Sequence, residues 1–147
     1  MNNPEETRAA FTEDGFFRTG DIVELRTAQY DIRVVDRKKS FFKLSQRQFV
    51  SPESLQNIYI QSSFVEQIYI HGDLQSDQVS AVVVPNQKYA QAFALEHQLT
   101  NFDMNNPHEK FVDAVLEDLR LIGEKESLRK HEIPSRIIID FEPFTPQ

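Results

Sequence analysis

The chain has 147 residues, 39% hydrophobic and 27% charged, with 12 Phe, four His, no Cys and a net charge of −7. That suits one domain, or a small domain plus a linker, with apolar surface enough for one real core rather than a disordered chain. It excludes a disulfide framework and thiolate chemistry, a membrane span of ~20 apolar residues, and a secretory signal in the polar opening MNNPEETRAA.

The elements follow in chain order. Asp14-Gly15 and Gly20 mark turns within DGFFRTGD. Residues 22–25 and 32–35 suit two short strands of a hairpin. Ser51 followed by Pro52 starts a helix over about 52–61, with Leu55, Ile58 and Tyr59 at helical spacing. Strands are expected at 65–71 and 79–84; the second is apolar at consecutive positions from Ala81 to Val84, so both its faces are covered and it is central. Helices are expected at 86–98 and 108–127. The second has Asn106 as cap, Pro107 first, Glu109 reaching back, and Phe111, Val115, Leu119 and Ile122 on one stripe. A last strand is expected at 135–141. The fold class is α+β: a small mixed sheet of about three strands packed with helices, preceded by a β-hairpin and a hinge.

Charge is unevenly placed. Residues 33–47 carry Arg33, Arg37, Lys38, Lys39, Lys43 and Arg47 against Asp36 alone, a local +5 in an acidic chain. Such an island suits a phosphate-bearing small molecule rather than nucleic acid, which needs a broader basic face. The four His have no metal-ligand spacing, and no metal site is expected.

Taken alone, RTGD ending at Asp21 reads as a turn, although its carboxylate could also accept hydrogen bonds from a diol. The run DRKK at 36–39 would ordinarily be a solvated surface. Phe41, Phe42 and Leu44 sit inside the same island, however, so some of its cations must be held in place, and held cations bind anions better than free ones.

The ordered set is more specific than any member. RTGD, DRKKSFFKLSQ, VSPESLQNIY, FVEQIYIHGD, AVVVP and HEIPSRIIIDFEPFTP, spread over nearly all of the chain, resemble the adenylate-forming superfamily, in particular its fatty acyl-CoA synthetases. The resemblance implies an ATP-dependent long-chain fatty acid–CoA ligase. An acid and ATP give an acyl-adenylate and pyrophosphate, and coenzyme A then takes the acyl group. It further implies that residues 1–35 end a large amino-terminal domain, and that 36–147 form a small swinging carboxyl-terminal domain truncated at its end.

By the same resemblance, Asp21 grips the ribose hydroxyls of ATP and Arg37 also contacts the nucleotide. Asp36 is the hinge. Lys43 is the catalytic candidate, with Lys43, Leu44 and Ser45 on the coenzyme A side. ATP, coenzyme A and magnesium belong to the full enzyme, with none expected to bind the piece tightly. Its partners are the missing amino-terminal domain and the fatty acid, with no nucleic acid and no transmembrane segment. The expected location is cytoplasmic, with peripheral membrane attachment of the full enzyme left open.

The chain departs from the family pattern in two ways. After KLSQ the family carries glycine and an acidic residue, and here stand Arg47 and Gln48. The segment bearing the adenylation lysine would follow Gln147, and Met1 reads as an added start, so the piece alone is expected to be inactive. Two other readings remain open: an adenylation domain of a carboxylic acid reductase, and a non-enzymatic nucleotide- or phosphate-binding module.

Overall fold

A computed structural model describes residues 4–26, 31–37, 41–100, 102–103 and 107–144, with only the backbone at residues 6, 26 and 35–37. The chain divides into two compact units, Met1–Phe41 and Phe42–Gln147.

In the first unit a short helix α1 (Pro4–Ala9) leads to a tight loop, in which the Phe16 amide donates to Thr12 Oγ1 at 2.9 Å. Strands β1 (Asp21–Arg26) and β2 (Asp31–Arg37) then pair antiparallel, as the alternation at 22–25 and 32–35 predicts. The register sets Val23 opposite Val34 and Leu25 opposite Ile32. Residues opposed in this way share a face, so one side of the ribbon is apolar. All four side chains are more than half exposed.

The second unit opens with a hairpin of two-residue strands, β3 (Phe42–Lys43) and β4 (Phe49–Val50). Helix α2 (Pro52–Tyr59) begins as expected, with Ser51 Oγ accepting from the Ser54 amide at 3.2 Å and Pro52 in the first turn. Then come β5 (Val65–His71), β6 (Ser80–Pro85), helix α3 (Gln87–Glu96), helix α4 (Glu109–Lys125), a single 3-10 turn (Lys130–Glu132) and β7 (Arg136–Ile139). The sheet order is β5-β6-β7, so β6 is central, antiparallel to β5 and parallel to β7. A parallel pair needs a long crossover, and α3 and α4 make it.

Several ends shift by one or two residues from expectation, and two of the shifts have a visible cause. Helix α4 starts at Glu109 rather than 108: His108 is extended, and its Nδ1 accepts from the Lys110 amide at 3.2 Å, so His108 is the cap. Asn106 lies outside the described residues. The last strand is shorter than 135–141, because the Asp140 carboxylate accepts from the Glu142 amide at 2.9 Å and turns the chain out of the sheet.

The stripe on α4 buries Phe111, Val115 and Leu119 fully, in one core with Ile68, Ile70 and Val83 of the sheet. Phe64, Phe93 and Phe102 meet Phe111 edge-on, with ring centroids 5.4–5.9 Å apart. Edge-to-face geometry puts positive ring edges on negative faces, which adds to the area buried.

Candidate functional site

The residues assigned to the thiol-acceptor side fall in one hairpin. Leu44 N–H donates to the Gln48 carbonyl at 2.9 Å and Arg47 N–H to the Leu44 carbonyl at 3.0 Å, closing a three-residue loop between β3 and β4. Arg47 has φ +61°, the left-handed conformation such loops require at that point and which glycine adopts at least cost. Arg47, standing where the resemblance expects glycine, thus takes a conformation that glycine favours.

Leu44 is wholly buried. Beneath it lies Gly72, where a Cβ would sit 2.6 Å from Phe42 Cε2 and 2.7 Å from Leu44 Cδ2. Glycine is therefore what lets the end of β5 pass under the hairpin. Lys43 stays exposed, with Nζ 4.7 Å from the centroid of the Phe49 ring, a cation–π contact that orients the ammonium without burying it.

Ser45 pins the loop from the other side. Its amide donates to the Ser76 carbonyl at 3.0 Å and its hydroxyl to Asp77 Oδ1. The loop from 72 to 79 is itself held by Asp73, whose carboxylate accepts from the Gln75 amide at 2.9 Å and the Ser76 hydroxyl at 3.0 Å. The Gln75 amide bond chiefly, then the Ser76 hydroxyl, keeps the Asp73 carboxyl below its ordinary value.

The residues assigned to the nucleotide lie in the first unit. Gly20, at φ +79°, turns the chain into β1, and the Asp21 amide donates to Thr19 Oγ1 at 3.2 Å. Asp21 and Arg37 are register partners across the hairpin, as are Ile22 and Asp36. The side chains of Asp36 and Arg37 lie outside the described residues. Among the described residues no group of three or more His, Asp or Glu could hold a metal ion, and no helix is long and apolar enough to cross a membrane.

No protein-family model matches the chain. Long-chain-fatty-acid–CoA ligase 5 of Mus musculus is 33% identical over 146 residues, 99% of this chain and 21% of that protein. Long-chain-fatty-acid–CoA ligase 6 of Homo sapiens is 34% identical over 151 residues, 100% of this chain and 21% of that protein. The A domain of carboxylic acid reductase from Segniliparus rugosus, solved in complex with AMP and a co-purified carboxylic acid, superposes with a TM-score of 0.80 at 36% identity. That match covers 97% of this chain and 20% of that one.

The chain belongs to the adenylate-forming superfamily. It spans about a fifth of the length of the relatives it matches. Those adenylate-forming relatives are enzymes, acid–thiol ligases by name, and the α+β arrangement described above is shared with the matching fifth of the reductase A domain.

Reading the sequence missed Gly72 and the Asp77 clamp. HGD at 71–73 marks only a turn; that its glycine lies under Leu44 depends on how β5 and the hairpin pack.

Proposed function

We propose that this chain is part of a long-chain fatty acid–CoA ligase, in which Asp21 and Arg37 serve the nucleotide and Lys43 serves acyl transfer to coenzyme A. The observation that carries this reading is the match to long-chain-fatty-acid–CoA ligases along 99–100% of the chain. The hairpin geometry supports it. Lys43 is an exposed cation on a loop anchored by the buried Leu44 and by Ser45, so little ordering entropy remains to be lost when it meets a phosphate or a leaving adenylate.

In the same reading, residues 1–35 close a larger domain, 36–147 form the small domain, and Asp36 is the hinge. The exposed apolar face of the β1–β2 ribbon supports this, because a two-stranded hairpin in water is marginal and gains stability from a cover. ATP with magnesium, coenzyme A and a fatty acid are then substrates and partners of the whole enzyme, and the isolated chain runs neither half-reaction.

The test exchanges this chain for the matching fifth of the mouse ligase and follows pyrophosphate release and thioester formation separately. The exchange should restore both. Asp21→Ala and Arg37→Ala should impair nucleotide use. Lys43→Ala should slow thioester formation by about tenfold or more while sparing adenylate formation. Unchanged thioester output from Lys43→Ala would remove its assigned role.

A second reading, an adenylation domain of a carboxylic acid reductase, is favoured by the structural match at 36% identity. Offering the exchanged enzyme coenzyme A or a carrier-bound pantetheine separates the two.

A further inference from the structure

The loop that follows Lys43 is closed by bonds of its own, from Leu44 N–H to the Gln48 carbonyl and from Arg47 N–H to the Leu44 carbonyl. Those bonds give the loop its shape but do not say where on the domain it sits. Its place is fixed from the connection between β5 and β6. Gly72 leaves room for the Leu44 side chain. The Ser76 carbonyl accepts from the Ser45 amide at 3.0 Å, and Asp77 Oδ1 accepts from the Ser45 hydroxyl.

That connection is itself fastened on its far side. Gln78 Nε2 donates to the Lys130 carbonyl at 2.9 Å, Val79 N–H to the His131 carbonyl at 3.0 Å, and Ser135 N–H to the Val79 carbonyl at 3.0 Å. At its near end the Asp73 carboxylate gathers the Gln75 amide and the Ser76 hydroxyl.

A bond between an exposed hydroxyl and an exposed carboxylate gains little when both groups move freely, because water serves each of them as well. Here the carboxylate stands on a fastened segment, and the Ser45 amide is already tied to the residue before it. Little ordering entropy is left to oppose the second bond.

We propose that Asp77 is a positioning residue for acyl transfer. Through Ser45 it holds the loop in one place on the domain, and with it Lys43, two residues earlier. Asp77 touches no substrate. Lys43 serves acyl transfer in the ligase reading above, on which the consequence for that step rests; the hold on the loop is independent of it. A charged group displaced by a fraction of its working distance loses much of its effect. Since Lys43 acts in the second half-reaction, loosening Asp77 slows that half alone.

Two measurements test this. In the 147-residue chain, backbone amide relaxation reads the order of the loop. Asp77→Ala should lower the order parameters of residues 45–47 and leave those of α4 unchanged. Asp77→Asn should keep them, because its carboxamide oxygen still accepts from Ser45. In the mouse ligase carrying this chain, pyrophosphate release without coenzyme A reads adenylate formation, and thioester made from preformed adenylate reads transfer. Asp77→Ala should slow transfer about fivefold, the ratio that one bond of about 1 kcal/mol maintains, with pyrophosphate release unchanged. Asp77→Asn should restore most of the transfer rate. Ser45→Ala should slow transfer too, and the double variant no more than the slower single one.

Unchanged order at residues 45–47 in Asp77→Ala, equal losses in the two half-reactions, or Asp77→Asn as slow as Asp77→Ala would each overturn the assignment. Slow transfer in Lys43→Ala beside normal transfer in Asp77→Ala would also overturn it, and would leave the ligase reading standing. Normal transfer in both variants would remove the role of Lys43 and that of Asp77 together.

Discussion

The Ser45 hydroxyl donates to the Asp77 carboxylate across 32 residues of sequence, joining the loop that follows Lys43 to the connection between β5 and β6. Both residues are exposed, so the bond is worth about 1 kcal/mol rather than the larger figure of a buried charged pair. Ser45→Ala and Asp77→Ala should each cost about that much, and the double variant no more than either alone. Urea unfolding of the four proteins measures the coupling. Additive costs would mean that the two residues act independently.

Arg47 holds φ +61° without a glycine's freedom. For a side-chain-bearing residue that conformation costs about 1–2 kcal/mol, partly offset because glycine at the same place loses more backbone entropy on folding. Arg47→Gly should therefore stabilise the chain by roughly 0.5–1 kcal/mol, a rise of a few degrees in Tm. Arg47→Val should lower it, since a β-branched residue suits that conformation least. A fall in Tm for Arg47→Gly would mean that the arginine side chain makes a compensating contact.

Periodic elements were legible because their cause is local. Val65–His71 was readable to the residue from its β-branched and aromatic run before a Gly-Asp turn, and Ser80–Pro85 within one position from consecutive apolar residues ending at proline. The cap Ser51 writes its helix start into the sequence in the same way. The hairpin of β3 and β4 was not legible. Each strand has two residues, too few to show a period, and the turn carries arginine where a reader looks for glycine.

Gly72 ties the end of β5 to the hairpin, and its role is steric. An alanine methyl would meet Phe42 Cε2 at 2.6 Å and Leu44 Cδ2 at 2.7 Å, and Leu44 is fully buried, with little room to retreat. Gly72→Ala should cost about 1–3 kcal/mol, as overpacking of a filled site does. It should also shift the amide resonances of residues 42–50 more than those of α4. Stability within about 0.5 kcal/mol of wild type, with those resonances unmoved, would show that the hairpin is not seated on Gly72.

Tyr59 makes an alkaline prediction with a definite sign. Its hydroxyl donates to the Glu132 carbonyl at 3.0 Å, and the ring is fully buried beneath Gly123, where a Cβ would stand 3.0 Å from the phenol oxygen. Burial first, and the nearby Glu132 charge second, raise its pKa above the ordinary 10.0. Below about pH 10 the phenol is protonated in both the folded and the unfolded chain, and it adds no slope to stability. Above that the unfolded chain loses its proton first, so stability falls as pH rises. Tyr59→Phe should cost about 1 kcal/mol at neutral pH through the lost hydrogen bond and should flatten the alkaline fall. Urea midpoints of both proteins from neutral pH to about pH 11 decide it. Parallel curves would place the alkaline loss elsewhere, in the other tyrosines or in the lysines.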